Sequence, residues 1–143
     1  MRASFLAACI LLSCGMPRDP HETLDRVRHQ TLAVGVSEDP PMLVRRGDGA
    51  SGIEADLING FAKSIGAKVD WQWGAQEPQL ERLEKYDLDL VAGGLDAKTP
   101  WSKRVAITRP FFEQSGRQYV FAVPAGENAF LLQLEKYLAE HKP

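Results

Sequence analysis

Short apolar runs alternate along the chain with segments in which apolar residues recur every three or four positions. Apolar runs bounded by polar turns are typical of buried β-strands. A spacing of three or four positions predicts helices that bury one face. The runs predict strands at residues 32–36, 68–73, 88–91 and 118–123, and the spacing predicts helices at residues 53–65, 77–86 and 128–138.

The order of these elements predicts the fold class. Strand, helix, strand, helix and strand, joined by short connections, favour an α/β fold: a three-layer sandwich in which helices cover both faces of a mainly parallel sheet. In such sheets, ligands bind in the crevice at the carboxyl ends of the strands. Residues 37–41, 73–77 and 93–101 follow strand ends, so we expect them to line this crevice.

The first residues have the form of an export signal. An apolar stretch at residues 3–12 follows Arg2, is too short to span a bilayer, and ends at Ser13-Cys14. This ending resembles the bacterial lipobox, whose cysteine is lipidated and becomes the first mature residue. An ordinary signal peptide with an incidental cysteine and a plain N-terminal helix are the alternatives. We expect a signal peptide at residues 1–13, a tether with a short helix at 14–30, and one α/β domain at 31–143.

Charge and composition argue against several kinds of site. The net charge is −2, and basic residues are scattered among acidic ones, so nucleic acid is not an expected partner. The three histidines lie in terminal stretches, and Cys14 is the only cysteine after residue 13. Catalytic pairs with histidine and histidine-ligated metals are therefore not expected in the core. The sequence has no phosphate-binding glycine motif, so no cofactor is expected.

Carboxylates are the remaining candidates for chemistry. Glu38, Asp39, Glu54 and Asp96 are expected near the mouth of the crevice. They suit capping of loops and helices, as the S-x-x-E pattern from Ser51 to Glu54 indicates, or binding of the cationic group of a small solute. Paired carboxylates also serve as acid and base in enzymes. No activated nucleophile or base accompanies them here, so we expect no enzymatic activity.

Three motifs follow the predicted elements. They are Gly52-Ile53-Glu54-Ala55-Asp56-Leu57 at the start of a helix, Gly93-Gly94 after a strand, and Thr108-Arg109-Pro110-Phe111-Phe112. Together they resemble the bacterial extracellular solute-binding proteins of family 3, the periplasmic receptors of ABC importers. The resemblance implies one lobe of a periplasmic-binding-protein type 2 fold. Only residues 113–117 lie where the family inserts its second lobe, so the chain is similar to a single-lobe or truncated member.

The resemblance also implies a ligand site at the crevice. Family members that bind amino acids usually hold an arginine after the Thr-Pro turn, where it pairs with the ligand's carboxylate. That place falls at Trp101 in this sequence, and Arg104 lies nearly one helical turn later. Trp73 either packs in the core or stacks on the ligand, and Thr99 also suits capping of a short helix. The expected ligand-binding residues are Glu38, Asp39, Trp73, Gly94, Leu95, Asp96, Thr99, Trp101 and Arg104.

The expected function is that of a lipid-anchored extracytoplasmic receptor, which delivers a small polar solute to the permease of an ABC importer. One lobe supplies half the walls of a closed site, so we expect a Kd of about 0.1 mM or weaker unless two chains form a face-to-face homodimer. The alternative is a protein-interaction or sensor module without tight ligand binding. Such a module would dock a membrane partner through the crevice and Phe111-Phe112.

Overall fold

A five-stranded sheet forms the centre of the protein. The computed structural model describes residues 15–143. The sheet has the order β4-β1-β5-β9-β6, and two short hairpins, β2-β3 and β7-β8, lie outside it. The strands are β1 (Thr31–Val36), β2 (Val44–Arg46), β3 (Gly49–Ser51), β4 (Lys68–Trp73), β5 (Leu90–Ala92), β6 (Ala106–Ile107), β7 (Phe112–Gln114), β8 (Arg117–Tyr119) and β9 (Ala122–Val123). The helices are α1 (Thr23–Val27), α2 (Ile53–Ser64), α3 (Gln76–Glu84) and α4 (Asn128–Glu140), and a 3-10 turn covers Pro100–Lys103.

Three parallel strands end side by side. β1 pairs with β4 on one side, where Val36 lies opposite Trp73, and with β5 on the other, where Val36 lies opposite Ala92. β9 is antiparallel to both β5 and β6, so the sheet is mixed but mostly parallel. The predicted α/β class is thus confirmed. The single strand predicted at residues 118–123 is wrong, because the chain divides there into β8 of a hairpin and β9 of the sheet.

Apolar side chains pack on both faces of the sheet. On one face, α2 and α4 cover the larger core, in which the rings of Phe61 and Phe130 meet edge to face at 5.8 Å. On the other face, Leu80 and Leu83 of α3 pack with the 3-10 turn over a smaller core. This arrangement gives the three layers that the alternation of strands and helices predicts.

The segment before β1 is bound to the domain. Asp19 accepts hydrogen bonds from the first turns of two helices, the N–H of Leu24 in α1 at 2.9 Å and the N–H of Phe130 in α4 at 3.0 Å. Buried Glu127 accepts the backbone N–H groups of His21 and Thr23. The predicted short helix is present, but the segment from Arg18 onward is packed on the domain and is not a free tether. Cys14 and the predicted signal lie outside the described residues.

None of the helices within residues 15–143 is long and apolar enough to cross a membrane.

Candidate functional site

The three strand ends are tied together by hydrogen bonds between the loops that follow them. Ser37, just after β1, donates its hydroxyl to the carbonyl of Gly74 at 2.8 Å. Gln76, at the start of α3, donates its side-chain N–H to the carbonyl of Gly93 at 3.1 Å. The segments that the sequence places at the crevice therefore meet there. Their mutual bonds join these loops at the floor of the crevice.

The Gly93-Gly94 turn needs glycine at both positions. The φ angles are +122° and +72°, in the region that side chains rarely adopt. A Cβ atom on Gly93 would lie 2.2 Å from the carbonyl oxygen of Ser37, and one on Gly94 would lie 2.6 Å from the carboxylate of Asp39. The absence of side chains lets the carboxylate of Asp39 approach the turn closely.

A buried carboxyl group, Glu54, binds the same turn from below. It accepts the N–H of Gly94 at 3.2 Å and that of Gly93 at 3.5 Å, and the residue is fully buried. Burial raises the pKa of the Glu54 carboxyl from its ordinary 4.5 to about 7, an effect that the two amides and Arg117 reduce and the nearby charge of Asp39 increases. The capping role predicted from Ser51 and Glu54 is wrong. Gly52 is the N-cap of α2, and no side chain caps it.

The partly exposed carboxylate of Asp39 lies at the mouth of the crevice. Its backbone carbonyl binds the N–H groups of Met42 and Leu43, which fixes the loop after β1. One carboxylate oxygen, Oδ1, lies 3.5 Å from Nη1 of Arg117 on β8. The other, Oδ2, is buried and has no hydrogen-bond partner among residues 15–143. A buried acceptor without a partner is unfavourable unless a ligand or water completes it.

Arg117 was not among the predicted site residues. Its segment appeared in the sequence only as a short connection between two strands. The position of Arg117 depends on how the β7-β8 hairpin folds back toward the crevice, and residues 94–97 pair with β8 through the Asp96–Tyr119 bridge. Its guanidinium also lies 5.6 Å from the ring centre of Tyr119. A glycine after Ser115, typical of a tight turn, was the only signal for the hairpin.

Arg45 contacts both Glu38 and Trp73. Glu38 accepts the backbone N–H of Arg45 at 3.1 Å, and the guanidinium of Arg45 lies 5.8 Å from the ring centre of Trp73. The ring of Trp73 packs partly against the larger core. Its Nε1 is buried without a hydrogen-bond partner in the described part of the chain. Trp73 thus combines core packing with an unused donor at the end of β4.

Three predicted residues have local roles. Leu95 is buried in the smaller core. The carboxylate of Asp96 accepts the N–H of Lys98 at 2.8 Å, and the hydroxyl of Thr99 accepts the N–H of Trp101 at 3.3 Å. These bonds shape the turn that follows β5, so Asp96 and Thr99 act as caps in this structure.

Arg104 and Trp101 lie away from Asp39. The guanidinium of Arg104 stacks on the Trp101 ring at 4.2 Å and forms an ion pair with Glu84, the last residue of α3. Helix α3 begins at Gln76, beside the crevice. Its rise over eight residues places Glu84 about 12 Å away, toward the end of the sheet opposite the crevice. The expectation that Arg104 contacts a ligand in the crevice therefore does not fit the structure.

Residues 32–142 match the family model of the bacterial extracellular solute-binding proteins, family 3. The chain belongs to this family. Among solved structures, this family 3 lobe is similar to the arginine-bound form of domain 1 from TmArgBP, with a TM-score of 0.70 and 26% identity over 84% of this chain and 98% of that one. The Phe57Trp mutant of that domain gives a TM-score of 0.73 and 26% identity over 82% and 96% of the two chains.

The curated relatives of this solute-binding lobe are longer proteins. The membrane-bound lytic murein transglycosylase F of Alteromonas mediterranea is 30% identical over 126 residues, which are 87% of this chain and 27% of that protein. The protein of the same name from Maricaulis maris is 33% identical over 80% of this chain and 26% of its own length. The chain thus spans about a quarter of the length of these relatives.

Within residues 15–143, no group of three His, Cys, Asp or Glu side chains is arranged to hold a metal ion.

Proposed function

We propose that this chain is an extracytoplasmic receptor lobe that binds the cationic group of a small polar solute in the crevice. The observation that carries the proposal is the carboxylate of Asp39, whose buried Oδ2 has no partner in the described residues. A cationic donor from a ligand would satisfy this oxygen by a charge-assisted hydrogen bond. The loops around it are joined by bonds between Ser37 and Gly74 and between Gln76 and Gly93, so a rotation of the Asp39 side chain would present this oxygen to a ligand without rearranging the loops.

Similarity to a lone ligand-bound domain supports this proposal. Domain 1 of TmArgBP is described in an arginine-bound form, and this chain covers 98% of it at 26% identity. Arginine carries the kind of cationic group that suits Asp39. One lobe leaves the ligand open to solvent on one side, so we expect a Kd of about 0.1 mM or weaker for the monomer.

The binding proposal is tested by titrating the mature chain carrying Cys14→Ser with L-arginine. Changes in the amide NMR signals of Gly93 and Gly94 would report binding in the crevice. Asp39→Asn should weaken binding about 10-fold or more, because it removes a charged acceptor. Asp48→Asn is the matched control, since Asp48 lies at the tip of the β2-β3 hairpin. Unchanged affinity in Asp39→Asn, or signal changes confined to other regions, would refute the proposal.

Membrane anchoring and delivery to an ABC importer complete the proposed function. The description of the family as extracellular supports export of the chain, and the lipobox-like sequence at Cys14 supports an acyl anchor. A short acylated segment before Arg18 would hold the lobe near a membrane surface. Mass spectrometry of the membrane fraction should show acyl chains on the wild type and none on Cys14→Ser. An unmodified wild-type cysteine would contradict this part.

A second candidate function rests on the curated relatives. Their shared name, membrane-bound lytic murein transglycosylase F, favours a sensor or docking module that works with a murein-processing partner. Phe111 is not available for such docking, because it is buried and packs on Phe121 at 4.4 Å. Phe112 is partly exposed on the hairpin. Recovery of a murein transglycosylase from membranes that fails with Phe112→Ser, but not with Leu132→Ser, would favour this candidate. Recovery of a permease would favour the importer.

The predicted face-to-face homodimer remains a proposal with its own test. Small-angle scattering over a range of concentrations would show particle mass doubling if two open crevices pair. A constant monomer mass would refute the dimer.

A further inference from the structure

The segment before β1 is packed at the end of the lobe where the parallel strands begin, the strand-start end. The carbonyl of Arg18 accepts the N–H of Asn128 at 3.1 Å, and Asn128 begins α4 after β9, which runs antiparallel to β5. The ring of His21 stacks on the ring of Tyr86, which lies between α3 and β5, with 3.9 Å between the ring centres. Both contacts lie where β5 begins and β9 ends. The segment therefore occupies the end of the lobe opposite the crevice.

Helix α1 is fixed at the same end. Arg26 forms an ion pair with Asp89, a buried residue directly before β5. The backbone N–H of His29 donates to the carbonyl of Ile65, at the end of α2, at 3.3 Å. These contacts hold the segment against the lobe up to the start of β1. It is therefore not available as a spacer between the lobe and a membrane.

Little chain lies between this packed segment and Cys14. The four steps from Cys14 to Arg18 span at most about 14 Å when fully extended. The crevice lies farther away, because the six residues of β1 carry the chain about 17 Å from the strand-start end to the crevice. An acylated Cys14 would therefore keep the strand-start end beside the membrane, whereas the crevice lies farther along the sheet.

Exposed lysines surround the strand-start end. Lys63 lies in the last turn of α2, Lys68 begins β4, and Lys85 follows α3. All three are exposed, and none of them forms an ion pair within residues 15–143. Two exposed acids at this end, Glu22 and Asp87, offset part of their charge. The remaining surplus of positive charge contrasts with the net charge of −2 of the whole chain, and it suits a surface of anionic phospholipid headgroups.

We propose that the strand-start end is the surface of this lobe that faces the membrane, where it contacts anionic phospholipid headgroups and directs the crevice away from the bilayer. The proposal rests on the acylation of Cys14, which is part of the proposed function. The short connection limits how far the lobe can leave the membrane, and the lysines determine which end turns toward it. A partner that contacts the crevice must then extend at least about 17 Å from the membrane surface.

The test uses the full chain, exported with its signal and purified as the acylated protein, in vesicles of phosphatidylglycerol and phosphatidylcholine. Acylation occupies the thiol of Cys14, and Cys9 lies before the expected cleavage point, so an introduced cysteine carries the only fluorescent label. Asp87→Cys places the label at the strand-start end, and Asp48→Cys places it at the tip of the β2-β3 hairpin, on the crevice side. Each substitution removes one carboxylate, so the two labelled chains have the same charge.

Energy transfer from each label to an acceptor on the lipid headgroups reports the distance of that label from the bilayer. The label at residue 87 should lie about 17 Å closer to the headgroups than the label at residue 48. Mass spectrometry of the same samples shows whether Cys14 is acylated. Equal transfer from the two labels on acylated chains, or greater transfer from residue 48, would overturn the inference and leave the proposed anchoring intact. An unmodified Cys14 would refute the anchoring itself.

Two matched pairs of substitutions test the role of the lysines. Lys63→Glu combined with Lys68→Glu should reduce the difference between the two labels, because it reverses charge at the strand-start end. Lys136→Glu combined with Lys142→Glu should leave the difference unchanged, because these exposed lysines lie toward the other end of the lobe, in and just after α4. A difference that survives the first pair, or that both pairs reduce equally, would overturn the contact with anionic headgroups.

Discussion

Replacing Glu54 by glutamine should remove much of the pH dependence of stability between about pH 5 and pH 8. Glu54 is fully buried, and burial raises its pKa from 4.5 to about 7. Between these values the folded chain holds a proton on Glu54 that the unfolded chain has released. Raising the pH through this range therefore favours the unfolded state.

The expected size follows from the difference between the two pKa values. One unit corresponds to about 1.4 kcal/mol, so the wild type should lose about 3 kcal/mol of unfolding free energy from this group between pH 4.5 and pH 8. Below pH 4.5 the carboxyl is protonated in both states and the effect is absent. Glutamine stays neutral, and its carbonyl oxygen can still accept the N–H of Gly94. Its side-chain nitrogen cannot accept the N–H of Gly93, so the unfolding free energy should fall by about 1 kcal/mol at every pH.

Urea unfolding at several pH values measures this effect, with the fluorescence of the three tryptophans as the signal. The stability difference between Glu54→Gln and the wild type should shift in favour of the variant as the pH rises from 5 to 8. Asp56→Asn is the control, because Asp56 lies in the same first turn of α2 but is exposed. A constant difference between Glu54→Gln and the wild type across this range would refute the raised pKa.

Two further substitutions test the turn and the N-terminal segment. Gly94→Ala should destabilise the fold by about 1–3 kcal/mol in urea unfolding and weaken arginine binding, because its φ is +72° and a Cβ would meet Asp39. Gly47→Ala, also at positive φ but with no atom within 4 Å of its Cβ, should lose less and bind normally. Asp19→Ala should lower the unfolding free energy by about 2 kcal/mol, since it removes one acceptor from an amide in the first turn of both α1 and α4. A thermal unfolding midpoint equal to that of wild type would contradict this double-cap role.

The regular elements were predictable because local pattern and tertiary burial agree in them. β1 is an apolar run that lies inside the sheet, and α2 carries its apolar residues at helical spacing against the larger core. The order of the elements then placed the crevice, since parallel strands joined by helices align their carboxyl ends. The closeness of Asp39 to the Gly93-Gly94 turn follows from that alignment.

The side-chain roles were less predictable because several partners satisfy the same residue type. Glu54 follows a serine at capping distance, yet its carboxyl turns inward to the glycine amides, a choice that depends on how close α2 lies to β5. The position of Arg104 in the sequence is compatible with a ligand contact, but in the structure its guanidinium forms an ion pair with Glu84 of α3. Arg117 reaches the crevice only because a hairpin folds back beside residues 94–97. These contacts join residues distant in sequence, and no local spacing encodes them.

In the proposed function, a preorganised crevice would compensate for the open side of a single lobe. A ligand that enters a flexible crevice must order the surrounding loops, which reduces its affinity. Here the loops after β1, β4 and β5 are already joined by side-chain hydrogen bonds, and Glu54 fixes the glycine turn from inside the core. The hairpin β7-β8 adds Arg117 across from Asp39, so two opposite charges meet at 3.5 Å on one surface. In the proposed function, recognition of a solute would therefore depend on charge more than on enclosure.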